Sequence, residues 1–166
     1  NEKDRLLNRI FRILAVLGAF AYVPSAYAAA MGGFFVLAAL DTAVYAAVVA
    51  FSLFPRIPYR VRLVTLVALS SAVAAVVLFY TGPLGAGYIW FMASVLIAAL
   101  FGGKGTVYAA VGSTAAAFVV YALALSRGLE GFGLTPLTVT IIGSNLLVIC
   151  ISLAAIIRLL LGRLSD

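Results

Sequence analysis

FFVLAALDTAVYAAVVAFSLFPRIPYRVR, residues 34–62, joins an apolar run of membrane length to a basic segment, and one acid, Asp41, interrupts the run. A helix rises about 1.5 Å per residue and the hydrocarbon core of a bilayer is about 30 Å thick, so roughly 20 apolar residues cross it. The run from Phe34 to Phe54 meets that length, Pro55 closes it, and Arg56, Arg60 and Arg62 follow at once. Cationic loops are retained on the cytoplasmic side, so this junction predicts both the solvent of the run and its direction.

Composition extends that reading to the whole chain. Of 166 residues 66% are hydrophobic and 10% charged, with a mean hydropathy of +1.23. A soluble domain of this size has too little interior to hide that much apolar surface. The net charge of +6 in a soluble chain points to nucleic acid. Here the cations flank apolar runs, where they anchor and orient spans, so no nucleic-acid partner is expected. A single cysteine, Cys150, and no histidine exclude an intrachain disulfide framework and leave no Cys/His metal set.

Working outward, residues 1–12 alternate Lys3, Arg5, Arg9 and Arg12 with Leu6, Leu7, Ile10 and Phe11, an amphipathic lead-in suited to the interface. Apolar runs then predict an all-α polytopic membrane protein, a six-helix transmembrane bundle with spans at about 13–30, 34–54, 63–81, 84–101, 106–125 and 137–161. Pro24 sits inside the first run and predicts a kink that frees a carbonyl near Phe20. With this count every cation except Arg127, which neighbours Glu130, falls on one side, placing both termini in the cytoplasm. The fourth run is the shortest and crosses only if its turn residues are partly immersed. The topology implies a multi-pass membrane protein.

Asp41 is the one acid inside a span, and a charge there is costly enough to nominate a functional site. It lies about 10 Å below the outer end of its helix, with Tyr45 on the same face. Asn145 on the last span and Tyr22 and Ser25 on the first fall near the same depth, and Tyr121 on the fifth reaches it within a turn. Such a polar layer has two readings. It is either glue between helices or a contact layer for a small hydrophobic ligand entering from the outer leaflet. Trp90, with Tyr80 and Tyr88, marks an aromatic belt and is a candidate lining residue. Arg56, Arg60 and Arg62 read as topology anchors, and Ala109, Ser113 and Ala117 as a row of small packing residues. GPLGAG and GGKG lack the GxxxxGK[ST] spacing of a phosphate loop, and no catalytic triad or carboxylate pair is present. The segment is read as non-catalytic and without a cofactor. From residue 153 onward Leu153, Ile157, Leu160 and Leu164 follow the 4-3-4 spacing of a coiled-coil seam, which reads either as the start of a cytoplasmic signalling helix or as an ordinary helix end with a leucine-rich border.

Several stretches together carry a resemblance. They are Arg9-Ile-Phe-Arg12, Val23-Pro24-Ser25, Leu40-Asp41, Pro58-Tyr59-Arg60-Val61-Arg62, and Gly82-Pro83-Leu84-Gly85-Ala86-Gly87 with Trp90 and Gly102. In that order they resemble the multi-helix membrane input region of bacterial two-component sensor histidine kinases, over nearly the whole chain. The resemblance implies a homodimer, a last helix that enters a cytoplasmic coiled coil, and PAS and kinase modules in the same full-length chain. No PAS module, phosphoacceptor histidine or ATP-binding lobe occurs in these residues, so the chain is expected to be the sensor part of a longer protein. The alternatives are a substrate-binding six-span subunit of a small-molecule uptake transporter, and an orphan structural membrane protein.

Overall fold

A computed structural model describes residues 2–54, 56–129 and 132–163, apart from the side chains of residues 2–4, 6, 7 and 21. The regular structure described is α-helical, in the order α1 (Glu2–Met31), α2 (Phe35–Leu53), α3 (Tyr59–Thr81), α4 (Gly87–Phe101), α5 (Lys104–Ser126) and α6 (Pro136–Arg163). Four of these, α2, α3, α5 and α6, are long and apolar enough to cross a membrane, and α1 makes a fifth if its bent halves count as one. α4 has 15 residues, about 22 Å of helix against a core of about 30 Å, and so falls short by length alone. Pro55, Glu130 and Leu164, which carry the end of the second span, the partner of Arg127 and the last seam position, lie outside the described residues.

Local chemistry explains several boundaries. Gly33, at φ +78°, supplies the left-handed residue of the short turn between α1 and α2, and Gly82, at φ +73°, does the same after α3. α6 opens with Pro136, whose missing N–H costs nothing in a first turn. The hydroxyl of Thr135 accepts the N–H of Thr138 at 3.2 Å and caps that turn.

The chain divides into two compact units, Asn1–Leu69 and Ser70–Asp166. In the first, α1 and α2 form an antiparallel hairpin: Phe11 meets Phe51 edge-on, with ring centroids 5.4 Å apart, Tyr22 meets Tyr45, and Ser25 meets Asp41. α1 bends by 44° between Asn8–Phe20 and Tyr22–Met31. Pro24 lies one turn beyond the break, and a proline there has no N–H to give the carbonyl of Phe20, which accounts for a bend at this place. The basic lead-in is continuous with α1, and Phe11 from its apolar stripe is fully buried.

In the second unit α4, α5 and α6 pack on one another, and the part of α3 from Ser70 onward joins them through close approach at Gly87. Phe91 on α4 tilts against Phe118 on α5 at 5.9 Å, and Phe118 fills the space that a side chain at Gly143 of α6 would need. The buried row of α5 is Ala110, Thr114, Phe118 and Tyr121, one residue away from the expected Ala109–Ser113–Ala117 row, of which Ala109 is exposed. Four-residue spacing sets a helical row but not which of several parallel rows faces inward. Large apolar side chains such as Phe20 (79% exposed), Met31 (73%) and Leu137 (71%) point outward, which water would penalise and lipid does not.

Candidate functional site

α1 and α2 bring four of the nominated residues into one group near the turn that joins them. The hydroxyl of Ser25 donates to Oδ2 of Asp41 at 2.7 Å. One helical turn along α1, Tyr22 shares a hydrogen bond with Oγ1 of Thr42 at 3.0 Å, and Thr42 also donates back to the carbonyl of Ala38 at 2.7 Å. The rings of Tyr22 and Tyr45 stack, with centroids 4.7 Å apart and planes 8° from parallel. The phenol of Tyr45 reaches across to the carbonyl of Ala15 at 3.0 Å. Ser25 and Thr42 are exposed, while Asp41, Tyr22 and Tyr45 are half-buried.

This arrangement is a polar ladder with an aromatic floor. In hydrocarbon each of its hydrogen bonds is an alternative to an unsatisfied group, so the ladder ties the two helices together. Ser25 and Thr42 leave one edge of the ladder uncovered, where a small molecule with a polar atom can exchange for a side-chain partner. Thr42 escaped notice in the sequence because an isolated threonine in an apolar run is usual. Its signal was adjacency to Asp41 and four-residue spacing from Ala38.

Asn145 and Trp90 belong to the second unit, on α6 and α4. Asn145 is exposed and makes no side-chain hydrogen bond among the described residues, and Trp90 is 37% exposed. Tyr121 is fully buried, edge-on to Phe79 at 5.2 Å, and its phenol has no hydrogen-bond partner among the described residues. The second unit also holds a hydroxyl cluster that composition hides. Ser71 on α3 bonds Ser94 on α4 at 2.8 Å, and Ser113 on α5 donates to Ser71 at 3.3 Å and to the carbonyl of Ala110 at 2.8 Å. Three helices thus meet through three short polar side chains.

The three arginines after α2 differ in setting. Arg56 and Arg60 are exposed, whereas Arg62 is fully buried in the first unit, and its Nη1 donates to Oδ1 of Asn8. Arg62 therefore also ties the start of α3 to α1.

Residues 2–164 match the MASE11 family, a family of membrane-associated sensor domains. The chain belongs to the MASE11 family. No curated protein and no solved structure matches it. Membership agrees with the apolar helices in describing a membrane-associated sensory domain.

Proposed function

We propose that this MASE11 domain is the input part of a larger signalling protein. It crosses a bacterial inner membrane six times with both termini cytoplasmic, the short α4 crossing with the turn residues on either side of it partly immersed. It detects a small or lipid-like molecule at the outer end of the α1–α2 hairpin, and α6 passes the change to a cytoplasmic output module, a histidine kinase in the closest reading of the sequence. In this reading the domain itself performs no catalysis. The carrying observation is the ladder of Tyr22, Ser25, Asp41, Thr42 and Tyr45, whose exposed hydroxyl edge offers exchangeable partners in a setting where polar atoms are scarce.

A signal shifts a two-state equilibrium only if it binds one state better. Moving the ratio from 1:99 to 99:1 takes about a 10⁴-fold difference in affinity. A ligand that takes over the Ser25–Asp41 bond frees one tie between α1 and α2 and so favours a different register of the hairpin. α3 contributes residues to both units and is the covalent route from the first to the second. Leu153, Ile157 and Leu160 on α6 supply a seam for a second copy of the chain, which makes a homodimer the expected assembly.

The test is the signalling output of the full-length protein with Asp41→Asn, Ser25→Ala and Thr42→Ala. A sensor site at the ladder requires that each variant change the threshold or amplitude of the response. Output identical to wild type from all three, with normal membrane levels, rejects the site. Reporters sensitive to the side of the membrane, fused at each end, are expected to report cytoplasm from both. Opposite readings reject the six-span topology independently of the site.

A further inference from the structure

A groove between the first half of α5 and the last half of α6 is unexplained by the proposed sensor site. It encloses about 380 Å³ and is lined by Lys104, Val107, Tyr108, Val111, Ile151, Ala154, Ala155 and Arg158. Its two cations lie together at one end, Lys104 as the first residue of α5 and Arg158 on the facing turn of α6. The lining beyond them is apolar except for the phenol of Tyr108. From Lys104 to Val111 on α5, and from Arg158 to Ile151 on α6, is seven residues each, so the apolar part runs about 10 Å along the helices. That is about a third of the hydrocarbon thickness.

We infer that this groove is a binding site for an anionic phospholipid. The phosphate sits at Lys104 and Arg158, and the first part of an acyl chain lies along Val107, Val111 and Ile151. The chemistry of the lining is that of an amphiphile with one negative end: two cations at the boundary, no acid among the lining residues, and an apolar trough continuing into the bilayer. Arg158 is held for this purpose by a hydrogen bond from Nη2 to the carbonyl of Gly102 at 2.7 Å. That bond uses one of the five guanidinium N–H donors and leaves the others to reach a phosphate. Lys104 is exposed and carries its charge on a flexible stem. A soluble peptide would have to enter a trough on the lipid-facing side of membrane helices, whereas a phospholipid is already there. The leaflet, cytoplasmic, rests on the proposed orientation. The groove and its charge do not.

The test places a fluorescent reporter in the groove. In a Trp90→Phe, Tyr108→Trp background the only tryptophan lines the site. The protein is reconstituted in phosphatidylcholine vesicles with one fifth of the lipid replaced by brominated-chain phosphatidylglycerol, or by brominated-chain phosphatidylcholine. Stronger quenching by the anionic lipid is expected. Adding Lys104→Gln is expected to lower that preference about five-fold, and adding Arg158→Gln to abolish it. Lys104→Gln leaves the Arg158–Gly102 bond in place and so carries the test even if Arg158→Gln weakens folding. Arg158→Lys is expected to restore part of the preference by charge alone. Equal quenching by the two lipids, or a preference that survives Lys104→Gln undiminished, overturns the inference. Either result leaves the α1–α2 sensor site untouched, because that site is read out by signalling and not by lipid preference.

Discussion

Gly87 is a position at which the packing of α4 on α3 leaves no room for a single methyl group. It is the first residue of α4 and is buried against α3. A Cβ there would lie 2.9 Å from the carbonyl oxygen of Ala74, 3.1 Å from the amide nitrogen of Leu78 and 3.5 Å from its Cα. All three are backbone atoms of a helix and cannot rotate away, so Gly87→Ala has to push α4 off α3. Opening the closest contact from 2.9 to an ordinary 3.4 Å takes 0.5 Å. A gap of that size along the interface forfeits about a quarter of each dispersion contact there. With overpacking strain the expected loss is about 1–3 kcal/mol. Helix propensity returns little at a first-turn position. Gly112 is the control: it lies mid-helix in α5 and a Cβ there meets nothing within 4 Å. Gly112→Ala should therefore gain up to about 1 kcal/mol from propensity alone. Unfolding of the purified chain by SDS in mixed micelles, followed by circular dichroism, reads both. The midpoint should fall for Gly87→Ala and rise or hold for Gly112→Ala. Equal shifts of the same sign would refute the close approach of α3 and α4, and with it the packing of the second unit.

Two further perturbations address the polar ties. Asn8→Leu leaves the buried guanidinium of Arg62 without one of its acceptors and is expected to cost about 1.5–3 kcal/mol. Arg62→Met combined with Asn8→Leu should cost less than Asn8→Leu alone, because no buried charge is then left to satisfy. A double-mutant cycle by SDS unfolding measures the difference, and strict additivity would show that the two side chains are not coupled. Ser71→Ala removes the shared partner of Ser94 and Ser113. Since Ser113 keeps its bond to Ala110, the loss should stay near the membrane average of about 0.6 kcal/mol and below about 1.7. Thermal unfolding in detergent reads it, and a loss above that range would mean the cluster does more than hold three helices together.

How far the sequence was legible follows the strength of each physical signal. Hydropathy is summed over a whole helix, so the apolar helices and the basic segment after α2 were plain. α4 was the weak case in the sequence for the same reason that it falls short as a span in the structure, its length. The ladder was half legible. A lone acid in an apolar run nominates itself, and the depth argument correctly chose Ser25 and Tyr22 as residues within reach of Asp41 and Tyr45 on a neighbouring helix. Depth alone carries no azimuth: the ladder joins Tyr22, Ser25, Asp41 and Tyr45 within the first unit, and Asn145 and Trp90 lie in the second. Of the serine cluster only Ser113 was legible, as a packing residue, and the buried row of α5 was missed, for the complementary reason. Single serines in apolar runs are common, and only the rotation of each helix about its axis decides which ones meet.

Arg62 sharpens that point. By sequence it is the third of three equivalent cations, and positive charge beside a span explains all three equally well. The structure separates them: Arg56 and Arg60 remain exposed while Arg62 turns inward to Asn8, an uncharged residue seven positions into a basic segment. A cation whose only task is orientation has no reason to leave solvent, because desolvation costs free energy that topology does not return. Burial of Arg62 is therefore accounted for by the tie it makes between α1 and α3. Because the ladder joins α1 to α2 near the hairpin turn and Arg62 joins α1 to α3 near the opposite end, α1 is held at both ends with its 44° bend between them. On the proposed function, a loosened ladder removes ties of Tyr22–Met31 to α2 while Asn8 keeps its tie to α3. A bend-removing Pro24→Ala should thus weaken the response to signal without loss of the Arg62 tie. Signalling of the full-length protein, read beside the cost of Asn8→Leu by SDS unfolding in the wild-type and Pro24→Ala backgrounds, separates the two effects, and an unchanged response from Pro24→Ala would leave the bend without a part in sensing.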